Sequence, residues 1–153
     1  MELILWRHAE AEPGEPDLER ELTPKGHRHA ARMGAWLDRQ LPADCRILVS
    51  PATRCLQTAQ ALGRRYSVSA KLGTESSAED ILHASGWPGH RQSVVIIGHQ
   101  PLLGHVASLV LCGRKQDWKI RKANVLWIAR KGDEQDPPFI RFAAGPDLVG
   151  KLR

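Results

Sequence analysis

The chain alternates short, unbroken apolar runs with longer stretches in which apolar residues return every three or four positions. The first pattern suits a central strand covered on both faces, the second an amphipathic helix. Residues 2–6 predict a first strand and Arg46-Ile47-Leu48-Val49 a second. Val94-Val95-Ile96-Ile97, β-branched throughout, predicts a third, and residues 66–70 alternate weakly enough to suggest a short one. Residues 124–129 and 139–143 predict two final strands, joined by a polar turn over residues 132–138.

Between the strands the period lengthens. Thr23-Pro24 reads as an N-cap followed by proline at the first helical position. Ala30, Met33, Leu37 and Leu41 then form a buried stripe, and Pro42 ends it. Ser50-Pro51 repeats the cap-then-proline signal, and predicts a helix to about Gly63 that buries Cys55, Ala59 and Leu62. Residues 77–85 predict a short helix with Glu79 and Asp80 in its first turn. Gln100-Pro101 opens another, with Leu102, Val106, Leu109 and Val110 facing inward. Pro13, Gly14 and Pro16 mark residues 9–22 as an acidic loop, and Gly86, Pro88 and Gly89 mark a second loop. Strands alternating with helices predict an α/β fold: one domain over residues 1–153, a mostly parallel central sheet between two helical layers.

Composition narrows the class. No apolar run nears the length of a membrane span, about 20 residues. Residues 3–6 are too short an apolar stretch for a signal peptide, and Glu2 stands where a basic start is expected, so the cytoplasm is the expected compartment. Cys45, Cys55 and Cys112 are odd in number and widely spaced, which predicts reduced thiols rather than a disulfide framework or zinc site. The formal charge of +5 suits an anionic partner. Nucleic acid is not the expected one. The basic residues are scattered, the single local cluster at 114–122 is modest, and one tyrosine and two phenylalanines make no stacking platform.

In a parallel sheet, ligands gather outside the carboxyl ends of the strands. Three junctions put chemistry there: Arg7-His8 after the first strand, Ser50-Pro51-Ala52-Thr53-Arg54 after the second, and Gly98-His99 after residues 94–97. Arg54 falls in the first turn of its helix, within reach of the same spot. Two of the junctions run into helices, whose N-terminal amides favour an anion. An imidazole can attack phosphorus, and guanidinium groups can hold the phosphoryl oxygens in a planar fork.

These segments carry a resemblance. Arg7-His8-Ala9-Glu10, Leu22-Thr23-Pro24-Lys25-Gly26, Ser50-Pro51-Ala52-Thr53-Arg54-Cys55-Leu56-Gln57-Thr58-Ala59 and Gly98-His99-Gln100-Pro101 resemble, in order, the signature segments of the histidine phosphatase (phosphoglycerate mutase-like) superfamily. The short chain, Ala9 in place of the commoner glycine, and the lack of a large insertion after the second helix resemble its SixA-type phosphohistidine phosphatase branch. The resemblance implies that His8 is a nucleophile that becomes phosphorylated, and that Arg7, Arg54 and His99 hold the phosphoryl oxygens. It implies no cofactor and no metal. The His-x-His at His27 and His29 lies on a predicted helix, where that spacing points to different faces. Those two, with His83, His90 and His105, read as surface histidines.

Family members that cleave phosphate esters use a carboxylate downstream of the second helix. Glu75 and Glu79 lie in that region as possible general acids, and neither aligns securely. Imidazole leaves more readily than an alkoxide, because its nitrogen titrates near pH 6.5, so a phosphohistidine hydrolase needs less of an acid. The lack of a cap-forming insertion suggests an open site, bordered by the acidic loop with Glu15, Glu19 and Glu21. The leading expectation is a phosphatase acting on a phosphorylated protein (phosphohistidine) or other phosphoramidate. A broad-range small-molecule phosphomonoesterase, or a phosphate-binding regulatory module without turnover, are the alternatives.

Overall fold

The computed structural model describes residues 1–132 and 135–150. One six-stranded sheet runs through it, in the order β3-β2-β4-β1-β5-β6. The strands are β1 (Glu2–Arg7), β2 (Arg46–Val49), β3 (Ser67–Val68), β4 (Val94–Gly98), β5 (Val125–Ala129) and β6 (Phe139–Ala144). The helices are α1 (Pro24–Gln40), α2 (Thr53–Gln60), α3 (Ala78–Ser85), α4 (Leu102–Cys112) and α5 (Pro146–Val149). Strands β3, β2, β4 and β1 are parallel, while β5 and β6 extend the sheet antiparallel beyond β1. Within the turn expected at residues 132–138, Asp133 and Glu134 lie outside the described residues.

The two-residue period of the strands builds the layers. Ile4 and Trp6 face one side of the sheet with Ile47, Val49, Val95 and Ile97, against Met33 and Leu37 of α1 and Cys55 and Ala59 of α2. Leu3 and Leu5 face the other with Val94 and Ile96, against Ile81 of α3 and Leu103, Val106 and Ala107 of α4. All four apolar residues of β4 are fully buried, which explains why that strand shows no polar alternation. Burying each such side chain stabilises the fold by about 1.5–3 kcal/mol before conformational entropy is set against it.

The α1 start follows its sequence signal: the Thr23 hydroxyl accepts a hydrogen bond from Gly26 N, with Pro24 in the first turn. Gly26 is required there, since a Cβ would lie 2.1 Å from the Glu10 carbonyl oxygen. Ser77 and Asp80 form a reciprocal capping box at α3. Three expectations need correction. Ser50 is not a helix cap; α2 begins at Thr53, behind Ala52, with no side-chain cap. It ends at Gln60 rather than near Gly63. On α4, Leu109 and Val110 are only half-buried, and Leu103 and Ala107 complete the inner stripe instead. Helix α5 was not anticipated; at four residues it is too short for a periodic signal.

Candidate active site

Register decides what meets at the sheet edge. Arg7 pairs with Gly98, and Val49 with Ile97, so β1, β4 and β2 end level with one another. The residues that follow are held there by the backbone: His8 N donates to Gly98 O at 3.1 Å and Ser50 N to Ile97 O at 3.1 Å. His8, Ser50 and His99 therefore lie side by side at the carboxyl edge, and α2 brings Arg54 over them.

His8 is buried, 8% exposed. Its Nδ1 lies 2.7 Å from the Ala9 carbonyl oxygen. A carbonyl only accepts, so Nδ1 carries the proton and Nε2 keeps its lone pair. Burial pushes the pKa of His8 down to about 3, with the fields of His99, Arg54 and Arg7 acting in the same direction and the Ala9 hydrogen bond opposing. The ring is neutral at physiological pH. Ala9 is pinned in turn: its N–H donates to Thr58 Oγ1 at 3.1 Å, and the Thr58 hydroxyl donates to Arg54 O at 2.8 Å.

His99 stands beside it, ring centroids 5.3 Å apart and planes tilted by 58°. Its Nδ1 accepts from Arg54 Nη2 at 3.3 Å, which leaves Nε2–H to donate to Ser50 Oγ at 2.8 Å. Burial and then the Arg54 charge lower its pKa to about 4. Arg54 is 4% exposed. Among the described residues, Arg54 Nε and Arg7 Nε are buried without a hydrogen-bond partner. Buried donors of this kind cost about 1–3 kcal/mol each when left unmade, and they suit the oxygens of an anion. Arg7 is oriented from the other side, with Nη1 donating to Ile120 O at 3.0 Å. Cys55 Sγ lies 3.5 Å from His99 Nε2, but burial pushes its thiol up to about 12, so it is no nucleophile.

The structure thus brings Arg7, His8, Arg54 and His99 together and leaves the two candidate acids apart from them. Glu79 sits exposed at the start of α3 in an ion pair with Lys115, 2.9 Å. Glu75 is exposed and, among the described residues, has no hydrogen bond or ion pair. Of the other histidines, His27 and His83 are exposed, and His29, His90 and His105 half-buried. Among the described residues no group of three or more His, Cys, Asp or Glu is placed to hold a metal ion.

Two site residues escaped the sequence reading. The cap-then-proline pattern hides Ser50, although its place directly after β2 is the same signal that marks His8 and His99. Asp17, in a single 3-10 turn (Asp17–Glu19) of the acidic loop, reaches Arg54: Nη1 donates to its carbonyl at 2.9 Å and Nη2 to its carboxylate at 3.1 Å. Burial opposes the charge of Asp17, and the hydrogen bonds from Arg54 and Arg20 outweigh it, so its pKa is lowered. Nothing in the spacing of that loop signals the contact.

Comparison with known proteins agrees with this geometry. Residues 3–76 match the model of the histidine phosphatase superfamily, branch 1. An uncharacterised protein of Mycobacterium tuberculosis is 30% identical over 107 residues, a span that covers 66% of each chain, just under two thirds. The structure of the protein histidine phosphatase SixA complexed with tungstate superposes with a TM-score of 0.81 at 22% identity, over 96% of this chain and 98% of that one. A phosphoserine phosphatase mutant from Entamoeba histolytica, in complex with phosphoserine, gives 0.69 at 16% identity, over 95% and 97%. These two likenesses establish the shared fold. The match to the histidine phosphatase superfamily thus covers residues 3–76 of the chain, and it comes with four motif segments in order and three strand ends level at one edge.

Proposed function

We propose that this chain hydrolyses phosphoramidates, phosphohistidine on a protein foremost, through a phosphorylated His8. The observation that carries the reading is the orientation of His8: Nδ1–H is tied to the Ala9 carbonyl, so a neutral Nε2 is the free nucleophile. In the first step Nε2 forms a bond to phosphorus as the bond from phosphorus to the substrate's nitrogen breaks. The leaving imidazole takes a proton from solvent water, and the proton lost by the attacking water of the second step returns to solvent. In the second step water attacks phosphorus, the His8–phosphorus bond breaks, and orthophosphate leaves. Arg7 and Arg54, as fixed cations, hold the equatorial oxygens of the phosphoryl group, whose spread charge they stabilise, and the neutral His99 ring joins them as an N–H donor when it turns from Ser50 to the phosphoryl group.

The preference for phosphorus–nitrogen bonds rests on the leaving group. Among the described residues, Asp17 is the one carboxylate that hydrogen-bonds or ion-pairs with any of the four site residues, and its charge is held on Arg54. An alkoxide leaving without a proton is a poor departure; imidazole is a far better one. The likeness to SixA supports the same reading, while that to a phosphoserine phosphatase keeps ester hydrolysis as the alternative. The cytoplasm, where the free thiols of Cys45, Cys55 and Cys112 stay reduced, is the compartment we assign. Among the described residues, no helix is long and apolar enough to cross a membrane.

The test compares kcat/KM on a phosphohistidine protein, an aryl phosphate and a sugar phosphate, together with acid-quench trapping of phosphoenzyme. The reading expects phosphohistidine to be preferred, and label on the wild type but none on His8→Ala. Equal or better turnover of the esters would move the chain to the phosphomonoesterases. No label and no turnover would make it a binding module.

A further inference from the structure

Arg7 also borders a surface cleft of about 300 Å³ whose lining does not include His8, Arg54 or His99. Arg7, Lys25, Lys119, Arg121 and Lys122 line it, against the carboxylates of Glu10 and Asp147. The Glu10 carboxylate is engaged, accepting from the Thr23 hydroxyl at 3.1 Å. Among the described residues, the side chains of Lys25, Lys119, Arg121 and Lys122 have no hydrogen bond or salt bridge. His29, on the same wall, has its pKa lowered by burial and then by Lys25, Arg32 and Arg28, as expected in a positive field.

The basic segment of this wall is a built feature, not a loose loop. Its residues alternate: Ile120 and Ala123 are buried, while Lys119, Arg121 and Lys122 are exposed. Gln100 Nε2 donates to Trp118 O at 2.9 Å. That carbonyl sits where a Cβ on Gly104 would approach to 1.9 Å, so only glycine at that point of α4 admits it. Ala123 N donates to both Arg7 O and His8 O at 3.1 Å, and Trp6 Nε1 to Ala123 O at 3.0 Å. Ala123 itself holds φ of 62°, a left-handed conformation costly for alanine and sustained by these bonds. The segment is therefore tied directly to the backbone of Arg7 and His8. The backbone that carries its cations is held at a fixed position relative to the nucleophile, which lowers the part of the ordering cost that the main chain would add on binding.

We propose that this cleft is a second anion subsite, which takes a carboxylate or phosphate carried by the same substrate that presents its phosphoryl group to His8. The proposal rests on the phosphoryl site described above and adds a substrate class to it. Substrates are at least bis-anionic: an acidic side chain near a phosphohistidine, or a second acidic group on a small phosphate. Arg7 is common to both sites, so the second anion aligns the first.

The experiment measures kcat/KM in two arms. One uses a phosphohistidine peptide flanked by glutamates against the same peptide with glutamines. The other uses an aryl phosphate with a carboxylate substituent against its carboxamide. Wild type is expected to favour the acidic member about tenfold in at least one arm, as three partly exposed charge contacts predict. The combined Lys119→Gln, Arg121→Gln, Lys122→Gln variant is expected to bring that ratio to within about twofold. For the wild type, raising ionic strength from about 0.02 to 0.5 M is expected to shrink the ratio in the same way, independently of any effect on folding. No preference in either arm, or a preference untouched by both the variant and salt, overturns the subsite. Preference in the ester arm with no turnover of either peptide leaves the subsite standing and removes phosphohistidine as the substrate.

Discussion

Acidification is the perturbation that tests the site most directly. His8 titrates near 3 and His99 near 4, because burial and neighbouring cations disfavour a charged ring. An ordinary imidazole of pKa 6.5 is only about 3% neutral at pH 5, whereas a ring at pKa 3 is about 99% neutral, a difference of about 30-fold in competent nucleophile. The phosphoryl transfer rate, read in single turnovers and corrected for substrate ionisation, is therefore expected to stay nearly flat from pH 7 to 5. Heteronuclear NMR titration of the His8 ring reads the same quantity without a substrate. Stability moves the other way. Both folded pKa values lie below the unfolded one, so the unfolded chain binds more protons below pH 6.5. Stability then falls from pH 6.5 down to about pH 4, with His99 alone accounting for on the order of 3 kcal/mol. A His8 titration midpoint between 6 and 7, or stability independent of pH across that window, would refute the burial argument and with it the neutral nucleophile.

Three further outcomes follow from named contacts. Ser50→Ala leaves the buried His99 Nε2–H without its 2.8 Å partner; we expect a loss of about 1–3 kcal/mol in urea unfolding and at least tenfold in kcat/KM, and a variant equal to wild type in both would remove Ser50 from the site. Glu75→Gln is expected to change phosphoramidate turnover by less than about threefold, as imidazole needs little help to leave; a loss of several hundred-fold would make Glu75 the acid. Gly26→Ala drives a Cβ into the Glu10 carbonyl and is expected to lower the thermal midpoint by the equivalent of about 1–3 kcal/mol, with an unchanged midpoint showing that the loop simply gives way.

Much of this protein was legible along the chain. The apolar runs located β1, β4 and β5 because two-sided burial leaves an unbroken signature; β2 and β6 also show as apolar runs, although β2 is fully buried only at alternate residues and β6 is mostly exposed, and Thr23-Pro24 and Ser77 located helix starts because orphan amides need partners. Arg7, His8, Arg54 and His99 were visible because a parallel sheet gathers its strand ends. What pattern alone left open were the contacts between segments with no shared period. Asp17 reaches Arg54 across 37 positions, Ser50 reaches His99 across 49, and Arg7 meets the carbonyl of Ile120 across 113. The sequence by itself settled which residues are apolar, where elements start, and which side chains carry chemistry, since these depend on neighbours within a turn or two. Only the tertiary structure decided which ring nitrogen is free, which cations stand unpaired beside Arg7, and which acids stay away, since register and close packing set those distances.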